Sequence, residues 1–323
     1  MKRTIFLLVA TAAVTAGCGS VSTSEASDAD DASVNVTSCG RDVTVDGVPE
    51  RVVSMHPSLT ELMVQLGLGD RVVAQAQDAL GEPSPELEDE VEAITSISAD
   101  VPPTREDLLA QSPDFVISGT EYEFSGDQGF AGYDDLEKAG APSYVATAGC
   151  IDRRSEGAVS DTFTDIENLG RVFDVTDRAD ALVAEAKADL AEVEQIVGDD
   201  DPVRAVQVYV EGGKLYAIGG AVEIDVLRLG GGENLFAGDS RFDDFFAAEV
   251  NPEVVVDLQP DAFVFAVNDA KHEKQTRAYL ERTLADTPAV KSGTLVAVDN
   301  TYVQPGTLSA ITGARIVAEA LHG

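Results

Sequence analysis

Asp177-Arg178-Ala179-Asp180-Ala181-Leu182-Val183-Ala184-Glu185-Ala186-Lys187-Ala188-Asp189-Leu190-Ala191-Glu192-Val193-Glu194-Gln195-Ile196-Val197 contains neither Pro nor Gly, and its Leu182, Ala186, Leu190, Val193 and Val197 recur at helical spacing. The run predicts one amphipathic helix, roughly 30 Å long at 1.5 Å per residue. Two segments of similar size flank it. Such a helix is either the core helix of a single domain or a strut joining two lobes that close on a ligand.

Working outward, each flank alternates strands and helices. In 38–176 a hairpin is expected from 42–46 returning as 50–55. The β-rich Arg51-Val52-Val53-Ser54-Met55 is broken by His56-Pro57, and Ser58-Leu59-Thr60-Glu61 has the spacing of a helix capping box. That helix should stop at Gly67, with a strand over 71–74, an acidic surface excursion over 82–92, helices over 104–111 and 133–138, and strands over 114–118 and 142–146. In 199–323 the expected strands are 203–210, 215–218, 262–267 and 295–298, and the helices 222–229, 253–258, 273–284 and 309–321. Glu211-Gly212-Gly213-Lys214 reads as a hairpin turn. Alternation with short loops implies parallel sheets covered by helices, an α/β fold with two lobes, 38–176 and 199–323, on a connecting helix at 177–198.

A correspondence between the flanks supports two lobes. Glu106 opens a short apolar helix seven positions before Pro113-Asp114 and an apolar strand, and Glu253 does so seven positions before Pro260-Asp261. The Pro-Asp pairs have a local reason, a helix stop followed by a turn. Their recurrence with the glutamates makes the two places equivalent.

Composition bounds the rest. A chain of 323 residues, 44% hydrophobic, can bury two modest cores. Against 22 Lys and Arg stand 58 Asp and Glu, a net charge of −36, which repels phosphate backbones and argues against nucleic acid as a partner. The acids are spread along the chain, which suits a solvated surface, of a kind adapted to high salt, better than a cation-binding tract.

The N-terminus reads as an address. Lys2 and Arg3 precede an apolar run from Ile5 to Val14, and Thr15-Ala16-Gly17 leads to Cys18. Residues 1–17 form a secretory signal too short to span a membrane. The signal resembles the lipoprotein class, which implies cleavage before Cys18, lipidation of that cysteine and an extracytoplasmic protein anchored to the cell membrane. Residues 18–37, rich in Ser, Asp and Ala, are expected to be a disordered tether. The other cysteines, Cys39 and Cys150, are an even pair in an exported chain with no C-x-x-C spacing, and favour a disulfide over a metal site or a nucleophile.

Arg51-Val52-Val53-Ser54 with Thr60-Glu61-Leu62 and Gly67, the paired Glu…Pro-Asp segments, the strut, and Leu229-Gly230-Gly231-Gly232-Glu233-Asn234-Leu235-Phe236 together resemble the substrate-binding proteins of ABC importers for iron-siderophores, cobalamin and haem. The resemblance runs from about Cys39 to the C-terminus. It implies a class III periplasmic-binding-protein fold, little hinge movement, a ligand between the lobes, and permease docking through one glutamate per lobe, by position Glu106 and Glu253. It further implies a monomer that is not an enzyme, needs no cofactor and carries an iron-siderophore or related chelate. A corrinoid, haem or a deazaflavin precursor is the alternative within the type.

Cleft residues should come from loops at strand ends. In the first lobe these are His56, Ser58, Glu121, Tyr122, Phe124 and Arg153; in the second, Tyr209, Glu211, Tyr216, Arg241 with Phe242, Asn268, Tyr302 and Gln304. Each has a plainer role open to it: His56 caps or packs its loop, Arg241 pairs with Asp243 or Asp244, and Arg153 and Arg154 stay solvated. Glu121, Glu123 and Glu211 near the cleft favour a neutral or cationic ligand, such as a hydroxamate siderophore or a corrinoid, over a ferric catecholate. A divalent-metal binder is the competing class, but His56, His272 and His322 are the only histidines. No G-x-S-x-G, P-loop or G-x-G-x-x-G after a strand is present, and Gly230 to Gly232 end a helix instead of opening one.

Overall fold

The structure is a computed structural model that describes residues 33–242 and 245–323. The expected lipidation site Cys18 and the expected signal lie outside the described residues. The expected tether does not extend to 37, because Ser33–Ser38 is a strand, β1. It pairs antiparallel with β2, Arg41–Asp46, so the hairpin forms upstream of where the sequence reading placed it. Alternation explains this: Val36, Val43 and Val45 fall on one face and are buried in the first core, whereas Thr44 and Asp46 point to water.

The segment expected to return the hairpin instead opens a parallel sheet. Its strands are β3 (Val52–Ser54), β4 (Val72–Ala76), β5 (Ser96–Ser98), β6 (Phe115–Ser118) and β7 (Ser143–Val145), in the order β5-β4-β3-β6-β7, all parallel. The chain winds one way from β3 to β5 and the other way from β6 to β7. The crevice between β3 and β6 is therefore the switch point where a doubly wound sheet presents its strand ends to a ligand.

The second lobe has β8 (Val203–Glu211), β9 (Lys214–Ile218), β10 (Gly232–Asn234), β11 (Ala247–Glu249), β12 (Ala262–Val267) and β13 (Leu295–Asp299). They run in the order β11-β9-β8-β12-β13, with β10 also on β8. Strands β8, β12, β13 and β10 are mutually parallel and the β8–β9 hairpin is antiparallel. β6 and β12 occupy equivalent places, each between the first strand in sequence of its sheet and the last. Both follow a short helix, Arg105–Ala110 or Pro252–Leu258, and a left-handed residue before the Pro-Asp, Ser112 or Gln259. Arg51, at the start of the first lobe's central strand, donates to the carbonyls of Gln111 and Ser112. Arg204, in the same place in the second lobe, donates to those of Leu258 and Gln259. In each lobe an arginine thus satisfies carbonyls left open at a helix C-terminus.

The connecting helix is Thr176–Val197, 22 residues. Its N-terminal half places Ala179, Leu182 and Val183 in the first core with Val52 and Leu62. Its C-terminal half places Ala186 and Val193 in another, with Ala205, Val226 and Val317. A helix divided between two cores is a strut, not the core helix of one domain. The helix Asp161–Val172, which the sequence reading left unassigned, braces it so closely that a Cβ on Gly170 would sit 2.5 Å from that of Ala179. On the other side lies the final helix, Ser309–His322, whose Arg315 reaches Glu192 at 3.0 Å.

Candidate functional site

The two sheets turn the C-terminal ends of their parallel strands toward each other. Past β4 and β13 the lobes touch, with the Asn300 side-chain amide donating to the Leu80 carbonyl at 3.4 Å. Past β7 the 3-10 helix Ile151–Glu156 reaches the second lobe, where Gly220 lies against the Ser155 carbonyl; a Cβ there would come within 2.5 Å of that oxygen. The cleft lies between these bridges.

On the first-lobe wall His56 stands at the switch point but does not face the cleft. Its side chain is 4% exposed, its Nδ1 lies 2.8 Å from the Ser58 hydroxyl, and the Ser58 N–H donates to that same nitrogen, so His56 caps the helix Pro57–Gln65. Burial holds its pKa below the ordinary histidine value, against the pull of Glu123. The Ser58-x-x-Glu61 capping box is corrected accordingly. Glu61 is buried and accepts from the N–H and hydroxyl of Ser84 and from the Ser309 hydroxyl, tying the first helix of one lobe to the last helix of the chain. Ser58 does open onto a cavity of about 630 Å³, which Glu61, Asp78, Glu82 and Thr301 also line.

The loop after β6 spends its acids within its own lobe. Glu121 accepts from the Tyr133 hydroxyl at 3.1 Å and the Ile151 N–H at 2.7 Å; Glu123 is buried and accepts from Gln77 and Thr120. Phe124 is not a ligand face, being buried and stacked on Tyr133 with centroids 5.0 Å apart. Tyr122 is 50% exposed and leans edge-on to Phe130. Arg153 is held by both oxygens of Asp161 at 3.0 and 3.1 Å, whereas its neighbour Arg154 crosses to the second lobe and lies 4.8 Å from the ring centre of Phe246.

On the second-lobe wall the expected Tyr209, Glu211 and Tyr216 do gather. With Gln207, Ile218, Glu223, Phe246 and Asn300 they line a cavity of about 220 Å³. Burial, then the charge of Glu211, raises the Tyr209 pKa, and a hydrogen bond to Asn268 opposes the rise. Asn268 is exposed at the edge, and its N–H donates to His272. Arg241 faces away, forked onto Asp239 at 2.6 and 3.0 Å; that pairing holds Asp239 down at about 2. Asp243 and Asp244, its expected partners, lie outside the described residues. Phe242 is buried against Phe236, Tyr302 packs on the second core, and Gln304 donates to the backbone and side-chain oxygens of Asn300, so none of these three lines the cavity.

Gln207 and Glu223 were missed. Their signal was in the sequence: Gln207 is polar inside Val203-Arg204-Ala205-Val206-Gln207-Val208, and Glu223 is acidic in the apolar Ala221-Val222-Glu223-Ile224. Burial pushes the Glu223 carboxyl up to about 7, with its own N–H and the charge of Arg154 opposing. Among the described residues no three His, Cys, Asp or Glu gather in a group able to hold a metal. His56, the centre of the metal-binding alternative, is committed to its helix.

Glu106 and Glu253 are exposed in the first turns of the equivalent helices Arg105–Ala110 and Pro252–Leu258. A helix leading into a parallel strand starts beside the strands' C-terminal ends, so both carboxylates stand on the cleft side of their lobes.

Two lobes on a helical strut with a cleft at the strand ends define a class III periplasmic binding protein. The chain belongs to the periplasmic binding protein family, whose model matches residues 52–302. It is 25% identical over 272 residues to the uncharacterised ABC transporter substrate-binding lipoprotein YvrC of Bacillus subtilis, covering 80% of this chain and 78% of that one. It is likewise 25% identical over 296 residues to the cobalamin-binding protein of Halobacterium salinarum, 87% of this chain and 71% of that one. Among solved structures it matches the ABC-type Fe3+-hydroxamate transport system protein of Saccharomonospora viridis. The TM-score is 0.74 at 25% identity, over 90% of this chain and 99% of that chain. It is an ABC-type substrate-binding protein of the siderophore, cobalamin and haem type; its relatives carry solutes, and work with a permease outside the cytoplasm.

Proposed function

We propose that this protein, lipid-anchored at Cys18 and carrying a Cys39–Cys150 disulfide once exported, captures a neutral or cationic metal chelate between its lobes and delivers it to an ABC permease. The observation that carries the ligand class is the acidity of the second-lobe cavity: Glu211 and Glu223 face it without an ion pair among the described residues, and Glu223, raised by burial to about 7, carries part of its charge at neutral pH. The cations expected to offset them are spent elsewhere, Arg153 on Asp161 and Arg241 on Asp239. A multiply anionic catecholate would meet uncompensated like charge in a poorly screened cleft. A corrinoid is the first reading, supported by the cobalamin-binding relative. A ferric hydroxamate is the second, supported by likeness to the Fe3+-hydroxamate protein.

The work is capture and delivery without bond-making. Tyr209, Tyr216 and Phe246 offer aromatic faces to a bulky ligand. Glu106 and Glu253 dock on basic pockets of the permease, two separated charges fixing register and orientation. Native mass spectrometry of the purified protein with cobalamin, cobinamide, haem and ferric hydroxamates and catecholates tests the reading. A one-to-one adduct with a neutral or cationic chelate is expected. Binding of a catecholate alone overturns it, and so does retention of only a divalent metal that a chelator removes.

A further inference from the structure

Strand β8 carries Gln207, Tyr209 and Glu211 on one face, because alternate residues of a strand point the same way. All three line the 220 Å³ cavity, and the helix Ala221–Leu229 brings Glu223 to it in its first turn. One buried polar atom of this wall has no partner, and an exposed carboxylate near it carries no ion pair. Gln207 is 1% exposed, yet its side-chain oxygen has no hydrogen-bond partner among the described residues. Glu211 lies opposite Lys214 in the hairpin register, but the Lys214 ammonium goes to Glu249 at 2.7 Å, leaving Glu211 without an ion pair among the described residues. The Glu223 carboxyl accepts only from its own N–H, and the nearby Arg154 lies over the rings of Phe245 and Phe246.

Three acceptors therefore converge on one small space, beside the hydroxyls of Tyr209 and Tyr216. The Tyr209 oxygen accepts from Asn268, which leaves its own O–H free to donate into the cavity. Buried polar atoms are paired as a rule, so an orphaned amide oxygen beside two carboxyls marks the place of an absent donor group. A space of about 220 Å³ is smaller than whole-ligand pockets usually are and fits one arm of a larger molecule.

We propose that this cavity is a subsite for an N–H-bearing arm of the ligand, an ammonium or a primary carboxamide, accepted by Gln207, Glu211 and Glu223. The subsite rests on the reading of the cleft as a chelate-binding site and narrows it to chelates with such an arm at their edge. A carboxylate arm meets the repulsion of Glu211, and a bare hydrocarbon arm leaves the acceptors unsatisfied.

Backbone amide NMR of the isotope-labelled protein, titrated with n-butylammonium, propionamide and propionate, tests the subsite without knowledge of the chelate. Saturable shifts at Gln207, Tyr209, Glu211 and Glu223 are expected with butylammonium, propionamide or both, and none with propionate. The isosteric Glu223→Gln should weaken butylammonium by about tenfold, as loss of a charged acceptor does, and leave propionamide within about threefold. A response to one probe alone supports the subsite and identifies the arm. Absence of saturable shifts with both, or an equal response to propionate, overturns it. Because the probes are not chelates, failure of the chelate panel and failure of this subsite are read separately.

Discussion

Cys39 sits in the turn between β1 and β2, and Cys150 just ahead of the Ile151–Glu156 segment that reaches the second lobe; the structure joins them with Cα atoms 5.1 Å apart across 111 residues. In the chain-entropy account, releasing a loop of that length gives back up to about 5 kcal/mol of denatured-state freedom. Native contacts hold the same corner without the bridge. The Arg41 guanidinium lies 3.6 Å from the Tyr133 ring centre, and Ser38 exchanges hydrogen bonds with the Val145 backbone at 3.3 and 2.8 Å. Those contacts limit local opening, but they do not change the unfolded chain, where the entropy resides. Cys39→Ala, paired with Cys150→Ala to leave no free thiol, should therefore lower unfolding free energy by about 2 to 5 kcal/mol. Urea unfolding followed by circular dichroism measures it, since the chain has no Trp. The urea slope should steepen as the unfolded chain expands. A loss under about 1 kcal/mol with unchanged slope would refute the reasoning, as would recovery of both cysteines as free thiols from exported protein.

Replacing Glu106 and Glu253 together by Ala should leave ligand affinity within about twofold and cut uptake through the permease, because both carboxylates are solvated and lie outside the cavity walls. Unchanged uptake removes the docking assignment. Asp165 is fully buried, and burial pushes its carboxyl up to about 6 although Tyr144 and Thr147 donate three hydrogen bonds to one oxygen. The folded state therefore binds this proton more tightly than the unfolded one. The associated stability is complete below about pH 4 and is lost as pH rises through about 6. Relative to Asp165→Asn, the native protein should lose about 2 to 3 kcal/mol between pH 4 and pH 7 in denaturant titrations at each pH. A difference that stays flat across that range would show that Asp165 titrates normally.

Much of this architecture was legible in the chain because its signals are local. The strut showed as an apolar period without a breaker, the central strands as β-branched runs, and the two-lobe plan as a recurring Glu…Pro-Asp. Three-residue edge strands such as β5, β10 and β11 were not legible, since so few residues carry no period and form only because a neighbouring strand offers its open edge. Ser58-x-x-Glu61 misled because a capping box is defined by spacing, whereas the observed cap is His56 and Glu61 found partners at Ser84 and Ser309, the latter 248 residues away.

For the site, the sequence alone pointed to the family and to loops at the strand ends. Which of the loop residues face the cleft was decided by the tertiary structure. Arg153 and Arg241 found acids within ten residues of themselves, and Glu121 and Glu123 were drawn into bonds with their own lobe. The Gln207 side-chain oxygen stayed without a partner among the described residues, and Glu223 kept only its own N–H, on the wall that folding brought them to. The physical reason is that burial penalises every unpaired polar group, so most chain polarity pairs locally. The few groups left open are known only once every other partner has been placed.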